Sequence, residues 1–289
     1  MSRLRIRHLT TYAYGQAVEF QPHRLLLRPR ESRDLRLLSN TITCNLPSRF
    51  NWSQDVFGNA VASVSFSNRS DRLEIDSVSE VDLSANPWPV FDIAASAISY
   101  PFLYEADDWT DLGALTLPQY PDPHGGLRAW AQSFVARAQT DTLSLLKDLS
   151  HGVANAVQYQ AREVEGTQAP LESLTRGLGS CRDMAVLFIE AARTLGFGGR
   201  IVSGYLHNPD LELVGVTAIG CTHAWAEIFL PGAGWITFDP TNRSVGGANL
   251  IAIAVGRGIR QVTPVEGAFV GPTNTLLGLW VEVSISPIL

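Results

Sequence analysis

Cysteine and lysine are scarce in this chain of 289 residues. The three cysteines, Cys44, Cys181 and Cys221, are too few and too scattered for a disulfide framework, so we expect a reduced, intracellular protein. Lys147 is the only lysine, and arginine therefore carries almost all of the positive charge. We attribute this bias to the base composition of the genome. Each cysteine can then be considered as a free thiol.

Long hydrophobic runs and a net positive charge are also lacking. No stretch approaches the roughly 18 apolar residues that a membrane helix requires. Residues 1–8 are charged and have no apolar segment behind them, unlike a secretory signal. The net charge of −6 argues against nucleic acid or an anionic membrane as a partner. Together these absences predict a cytoplasmic protein with neither partner.

The composition that remains is that of a folded protein, and the length is sufficient for two domains. Residues 3–86 read as short alternating strands separated by turns, which predicts a β-sandwich. Prolines cluster over residues 86–123, and helices followed by strands then indicate an α+β unit. We therefore predict an N-terminal β-sandwich domain over residues 1–95 and an α+β domain over residues 96–289. Its last strands are expected to complete a sheet.

Cys181 lies where a glycine-rich segment meets a strongly amphipathic helix. Apolar residues on one face predict a helix from here to about Leu195, with Gly196 as its end. A thiol in the first helical turn feels the positive end of the helix dipole, which favours the nucleophilic thiolate. Ser180 is better interpreted as the helix N-cap than as a nucleophile, and Asp183 as an acid that stabilises the helix dipole.

A predicted β-hairpin downstream can supply a base and a carboxylate. Two strand-like segments flank a turn at Pro231–Gly234. If the numbers of facing residues add up to an even total, His223 and Asp239 share one face of the hairpin, either directly opposite or one diagonal apart. An odd total would separate them. In an even register, Cys181 would face a His–Asp pair, which is the nucleophile–base–orienter arrangement of covalent catalysis.

Three further residues are candidates for the substrate cleft. Trp225 and Trp235 fall on the same hairpin face as the base, where they either wall the cleft or pack in the core. An acyl-transfer site also needs hydrogen-bond donors for the developing oxyanion, and the backbone N–H of Cys181 is one. The segment beginning at Gln158 is expected to contribute to the cleft and to contain the second donor, with Gln158, Tyr159 and Gln160 left open.

A metal site is the alternative use of these side chains. Zinc usually takes four ligands, and the available set is Cys181, Cys221, His223 and Asp239. That set would take up every member of the proposed catalytic group. We therefore predict no metal and no cofactor.

The motifs around these residues resemble the bacterial transglutaminase-like superfamily. The matching segments are, in chain order, Gly179–Ala185, Arg200–Tyr205, His223–Glu227 and Gly234–Asn242. The front of the chain is similar to the N-terminal β-domain that accompanies this core, in the segments His8–Tyr14, Leu25–Arg30 and Asp55–Asn59. The resemblance therefore extends over nearly the whole chain.

The resemblance implies a papain-like, transglutaminase-like catalytic core after the β-sandwich. It assigns Cys181 as nucleophile, His223 as base and Asp239 as its orienter. One segment departs from the pattern: where the family often has Asp-Tyr-x-Asp after Arg257, this chain has Gly258–Gln261. The family role of that loop is therefore not carried over.

The expected function is that of a cysteine-dependent hydrolase or acyl transferase. It would act on a peptide or carboxamide bond of a peptide or protein substrate through a thioester. Water as acceptor makes it a protease or amidase, which we favour, and an amine makes it a transglutaminase. A binding scaffold without activity is the hypothesis from another class, and thiol reactivity would distinguish it from the enzymes.

Overall fold

The computed structural model describes residues 2–137, 139–162, 166–207 and 219–288, and the fold is mixed α and β. The N-terminal strands are β1 (Ser2–Phe20), β2 (His23–Leu25), β3 (Leu35–Cys44), β4 (Ser48–Gln54), β5 (Ala60–Phe66) and β6 (Ser70–Leu83). The middle of the chain contains β7 (Ser99–Tyr100), α1 (Ala106–Leu112), α2 (Gly126–Gln132), β8 (Thr140–Asp141), α3 (Thr142–Ala156), β9 (Gln158–Tyr159), α4 (Pro170–Arg176), β10 (Leu178–Gly179) and α5 (Cys181–Thr194). The remaining strands are β11 (Gly199–Leu206), β12 (Ile219–Leu230), β13 (Gly234–Asp239), β14 (Ser244–Val245), β15 (Leu250–Gly256), β16 (Val265–Glu266), β17 (Phe269–Val270) and β18 (Leu276–Pro287).

The N-terminal strands form the predicted sandwich. One sheet contains β3, β6, β1 and β18 in that order, and the other contains β4, β5, β2 and β16. Apolar side chains from both sheets meet in one buried cluster, with Val18 and Leu73 from the first sheet and Leu25 and Val64 from the second. Burial of these facing surfaces holds the two layers together.

The C-terminal strands belong to this sandwich. β18 pairs antiparallel with β1 from Leu4 opposite Pro287 to Tyr14 opposite Leu276, and β16 pairs with β2. The prediction that the tail completes a sheet is confirmed. The division predicted at residue 95 placed these strands in the second unit, and it stays a prediction. Strand β1 is long, and β18 satisfies the backbone groups on the edge that β6 leaves free.

Helix α5 is the centre of the second unit. It begins at Cys181, has Leu195 as its C-cap, and is followed by Gly196 with a positive φ of 93°, as the sequence predicted. Its apolar face packs on the sheet formed by β11, β12 and β13, with Phe188 against Phe238 at a ring-centroid distance of 5.2 Å. Helix α2 ends at Gln132, with Ser133 as its C-cap.

Two motif segments of the sandwich join it to the second unit. The Asn59 side chain donates to the backbone carbonyl of Val255 at 2.7 Å and accepts from its N–H at 2.9 Å. The Arg30 N–H donates to the carbonyl of Ala252 at 2.8 Å. The sandwich therefore packs on β15, at the edge of the sheet that carries the hairpin. No helix within the described ranges is long and apolar enough to cross a membrane.

Candidate active site

The β12–β13 hairpin has the even register that a His–Asp pair requires. Ala226 lies opposite Phe238, which places His223 one diagonal from Asp239 on the same face. His223 Nε2 lies 2.8 Å from Asp239 Oδ2, and both side chains are buried. The geometric prediction that these two residues meet across the hairpin is confirmed.

The Cys181 side chain meets this pair from the first turn of α5. The thiol is half-buried and interacts with the His223 ring. Because His223 Nε2 is engaged by Asp239, Nδ1 is the ring nitrogen left for the thiol. Burial by itself raises the pKa of Cys181. The hydrogen bond and charge of His223, together with the Ala224 N–H and Arg182, outweigh it, so that the thiol pKa lies below its ordinary value.

His223 is shifted in the opposite direction. Burial disfavours the charged imidazolium, but the hydrogen bonds and charges of Asp239 and Cys181 raise the pKa of His223 to about 9. A thiol with a lowered pKa next to an imidazole with a raised pKa favours a thiolate–imidazolium pair near neutral pH. The arrangement can therefore hold a sulfur nucleophile and a proton donor side by side.

Two residues after the hairpin fix the carboxylate. Asp239 Oδ1 accepts the N–H groups of Thr241 at 3.1 Å and Asn242 at 3.3 Å, and Oδ2 accepts the Asn242 side-chain amide at 2.6 Å. Asn242 is not among the site residues predicted from the sequence. The available signal was its position three residues after an aspartate, where Asp often accepts local backbone hydrogen bonds. Residues that directly follow Asp239 in the sequence thus hold its carboxylate in the orientation that faces His223.

Asp183 does more than stabilise the helix dipole. It is fully buried and accepts hydrogen bonds from the N–H and Oγ of Ser180, both at 2.8 Å, and from the N–H of Gln168 at 2.7 Å. The Gln168 side-chain amide at 3.2 Å and the Arg162 guanidinium at 3.1 and 3.2 Å also donate to it. Ser180 is the helix N-cap as predicted. Asp183 therefore ties the segment before the thiol to the loop containing Arg162 and Gln168.

Trp225 belongs to the core. It is 2% exposed, packs with Val202, Leu250 and Val255, and stacks beside the His223 ring at a centroid distance of 6.0 Å. Of the two interpretations offered by the sequence, packing is therefore the one that its position fits. Trp225 therefore packs beside the His223 ring inside the core and does not form an exposed wall.

A glycine makes room for this indole. A Cβ on Gly204, which lies opposite His223 on β11, would stand 2.6 Å from the Trp225 ring and 2.1 Å from the carbonyl oxygen of Ile251. Only a residue without a side chain can occupy this position without displacing the backbone. This contact explains the glycine of the Arg200–Tyr205 motif.

Trp235 lies at the far end of the hairpin. It is four residues from Asp239 along β13, a separation of about 13 Å. The Arg200 guanidinium lies 4.0 Å above its ring and also donates to Glu227 at 2.6 Å. Trp235 therefore belongs to a cation–π and ion-pair cluster at the end of β13 that lies away from Asp239.

Gln158 lies on a strand that pairs with the segment leading to Cys181. It is exposed on β9, which pairs in parallel with β10, and it faces Leu178, three residues before Cys181. The backbone N–H groups of Gln158 and Gln160 donate to Gly177 and Gly179, both at 2.8 Å. These two backbone groups are therefore occupied, whereas no hydrogen bond of the Gln158 side-chain amide is found among the described residues.

The described residues contain no group of three or more His, Cys, Asp or Glu side chains that could hold a metal ion. The Cys221 side chain, which the zinc alternative needs, lies outside the described residues.

Comparison with known families agrees with the motifs. Residues 128–240 match the profile of the transglutaminase-like superfamily, and residues 4–82 match that of the bacterial transglutaminase-like N-terminal region. Residues 128–240 are thus the part of the chain that belongs to the transglutaminase-like superfamily, and residues 4–82 carry the N-terminal region in front of this core.

Two mycobacterial sequence relatives are uncharacterised, and one solved structure shares the fold. An uncharacterised protein of Mycobacterium leprae is 37% identical over 114 residues, a match that covers 39% of this chain and only 40% of that protein. An uncharacterised protein of Mycobacterium tuberculosis is 26% identical over 97% of this chain and 92% of its own length. Among solved structures, a candidate cysteine protease from Cytophaga hutchinsonii superposes with a TM-score of 0.74 at 18% identity, over 99% of this chain and 91% of that one.

Proposed function

We propose that this protein is a cysteine-dependent hydrolase that cleaves a peptide or carboxamide bond through a thioester on Cys181. The observation that carries the proposal is one geometry: a thiol with a lowered pKa at the start of α5 contacts His223, whose Nε2 is 2.8 Å from Asp239. The proposed nucleophile therefore contacts the proposed base, and the base contacts the carboxylate that orients it.

In the acylation step, the Cys181 thiolate attacks the carbonyl carbon and forms the C–S bond. The carbonyl oxygen becomes an oxyanion. When the C–N bond breaks, the imidazolium of His223 gives its Nδ1 proton to the leaving amine, and the acyl group stays on sulfur. Asp239 holds the ring in the tautomer that this transfer requires.

In the deacylation step, neutral His223 accepts a proton from water through Nδ1 while the water oxygen attacks the thioester carbon. Collapse of the second tetrahedral intermediate breaks the C–S bond and releases a carboxylic acid. The thiolate and the imidazolium are thereby restored, so the cycle ends in the state in which it began.

We assign the oxyanion to two donors. The first is the backbone N–H of Cys181, since the first N–H groups of a helix lack intrahelical partners. The second is the side-chain amide of Gln158, which lies on the strand next to the segment leading to the thiol. Gln158→Ala is expected to lower kcat by about 10²–10³ with little change in KM.

The positions of the two tryptophans favour water over an amine as the acceptor. A crosslinking enzyme must keep water away from the thioester while it admits an amine. Trp225 is buried in the core and Trp235 is engaged with Arg200, so neither walls a shielded channel at Cys181. The transglutaminase reaction remains the second candidate because it uses the same thioester.

The test offers a glutamine-containing peptide with and without a primary amine and follows ammonia, free acid and amine incorporation. Hydrolysis predicts ammonia and free acid in nearly equal amounts in both conditions. If almost every turnover incorporates amine, the transglutaminase assignment replaces the hydrolase. If neither product forms from amide or peptide substrates, the scaffold hypothesis replaces both.

Thiol reactivity provides a check that needs no substrate. The rate of alkylation of Cys181 against pH is expected to show a midpoint below the free-thiol value of about 8.5. Cys44 is the matched control, since burial raises the pKa of its thiol. Cys44→Ser should retain the fast reaction and Cys181→Ser should lose it. A single titration near 8.5 would contradict the nucleophile assignment.

A further inference from the structure

A cavity of about 500 Å³ lies along α5, away from the thiol. Its floor is formed by buried side chains of α5 and β11, and its rim by the loop after β15 and the segment before α2. The residues that define it are Val186, Ile189, Glu190, Arg193, Arg257 and Arg260. Cys181, His223 and Asp239 do not line it, and its volume is in the range of sites that bind small molecules.

The floor of the cavity is already neutral. Glu190 and Arg193 form a buried ion pair with a distance of 2.6 Å between Oε1 and the guanidinium. The second carboxylate oxygen of Glu190 accepts the N–H groups of Gln119 at 2.7 Å and Tyr120 at 3.2 Å. A ligand therefore meets no unpaired charge at the floor.

The rim, by contrast, carries two positive charges. Arg257 and Arg260 are exposed, and neither guanidinium has an acidic partner among the described residues. Among the described residues, the lining contains three arginines and one glutamate, in a chain whose net charge is −6. A local excess of positive charge on an acidic protein attracts anions to this cavity.

The backbone of the rim is fixed in place. The Gln261 side-chain oxygen accepts the N–H of Arg257 at 2.8 Å and of Gly258 at 3.2 Å. The Arg257 carbonyl accepts from Gln119 at 2.6 Å and from Arg193 at 2.9 Å. The two arginines are therefore presented from a constrained loop, which lowers the entropy lost when they bind a ligand.

We propose that this cavity binds a small organic anion, with a carboxylate or phosphate group held by Arg257 and Arg260 and an apolar body on the floor. Guanidinium groups suit both anions because they donate two parallel hydrogen bonds. The apolar contacts would come from Val186, Ile189 and Ile259. The site is separate from the proposed catalytic group, and the proposal does not depend on the reaction.

Calorimetric titration of the full chain tests this with phenyl phosphate, 3-phenylpropanoate, inorganic phosphate and benzyl alcohol. Binding of either aromatic anion, with weaker binding of inorganic phosphate and none of benzyl alcohol, is the expected result. Comparison of the two aromatic anions decides between phosphate and carboxylate. No binding of either anion at millimolar concentration would overturn the proposal.

Variants locate the site. Arg257→Gln with Arg260→Gln should weaken binding by about tenfold or more. The control, Arg36→Gln with Arg49→Gln, removes the same charge from exposed positions of the sandwich and should change affinity less than about twofold. Equal loss in both pairs would mean that net charge explains binding, which would refute the site.

Ile259→Trp narrows the cavity without a change of charge and should also reduce binding, if its thermal midpoint shows that the variant is folded. Unchanged affinity in this variant would place the anion on the open surface and overturn the proposal. This variant tests the contribution of the cavity volume to binding, whereas the double arginine variant tests the contribution of the charged rim.

Discussion

Replacement of Asp183 by asparagine isolates the network that holds the segment before Cys181. The carboxylate receives hydrogen bonds from Ser180, Gln168 and Arg162 through both oxygens. An amide of the same shape removes the charge and turns one acceptor oxygen into a donor. Even in its better orientation, the amide nitrogen would face Arg162 and the Gln168 N–H, the two donors to Oδ1.

The expected cost follows from these contacts. Each hydrogen bond to a charged group contributes about 1.5–3 kcal/mol, and removal of one partner of a buried ion pair costs about 3–5 kcal/mol. Arg162 retains 22% exposure, so part of its charge is solvated after the substitution. We expect Asp183→Asn to lower the free energy of unfolding by roughly 3–4 kcal/mol at pH 7. Asp148→Asn, on the exposed face of α3, removes the same charge and should cost less than about 0.5 kcal/mol.

The pH dependence separates this role from a simple packing defect. Burial raises the pKa of Asp183, but hydrogen bonds from Ser180, Gln168 and Arg162 outweigh it, and the net shift is downward. A carboxyl whose folded-state pKa is depressed stabilises the fold above its unfolded pKa of about 3.9. That stabilisation is lost as pH falls through the folded-state value.

Urea unfolding of the parent and of Asp183→Asn at a series of pH values measures both effects. The difference in free energy should be full at pH 7 and should shrink progressively below about pH 4. A cost below about 1 kcal/mol at pH 7, or a difference that does not change in acid, would refute the argument that the ionised carboxylate holds this segment.

Three other predictions concern the site and its support. His223→Gln removes the hydrogen bond and charge that lower the thiol pKa but keeps the burial, so the alkylation midpoint of Cys181 should rise above about 8.5; an unchanged midpoint would assign the acidity to the helix alone. Asn242→Ala removes the amide that fixes the carboxylate partner of His223 and should lower kcat about tenfold with KM nearly constant, whereas a change in KM alone would contradict a positioning role. Gly204→Ala should destabilise the fold by about 1–3 kcal/mol because its Cβ meets backbone, while Gly247→Ala, which has open space around it, serves as the control; equal midpoints in urea would disprove the close approach.

The sequence by itself determined the local elements that carry the site. The helix that starts at Cys181 is predictable because its apolar period, its N-cap and the glycine after Leu195 all act within one turn or two. Whether His223 and Asp239 can meet depends only on whether the numbers of facing residues in the hairpin add up to an even total, since successive side chains of a strand alternate between faces. Register within one hairpin depends on a short turn, so this pairing requires no information from distant residues.

Only the tertiary structure decided what surrounds these elements. Periodicity assigns Trp225 to a face, but whether that face is a cleft or a core depends on β15 and on the space that Gly204 leaves for the indole. Tertiary packing also decides the surroundings of Asp183, because some of its donors come from a loop before the helix. It likewise decides the partner of β18, which pairs with β1 from the other end of the chain. The cavity rimmed by Arg257 and Arg260 likewise exists because separate segments close against α5. Such contacts between residues far apart in the chain depend on how complete surfaces pack, and no local pattern encodes that packing.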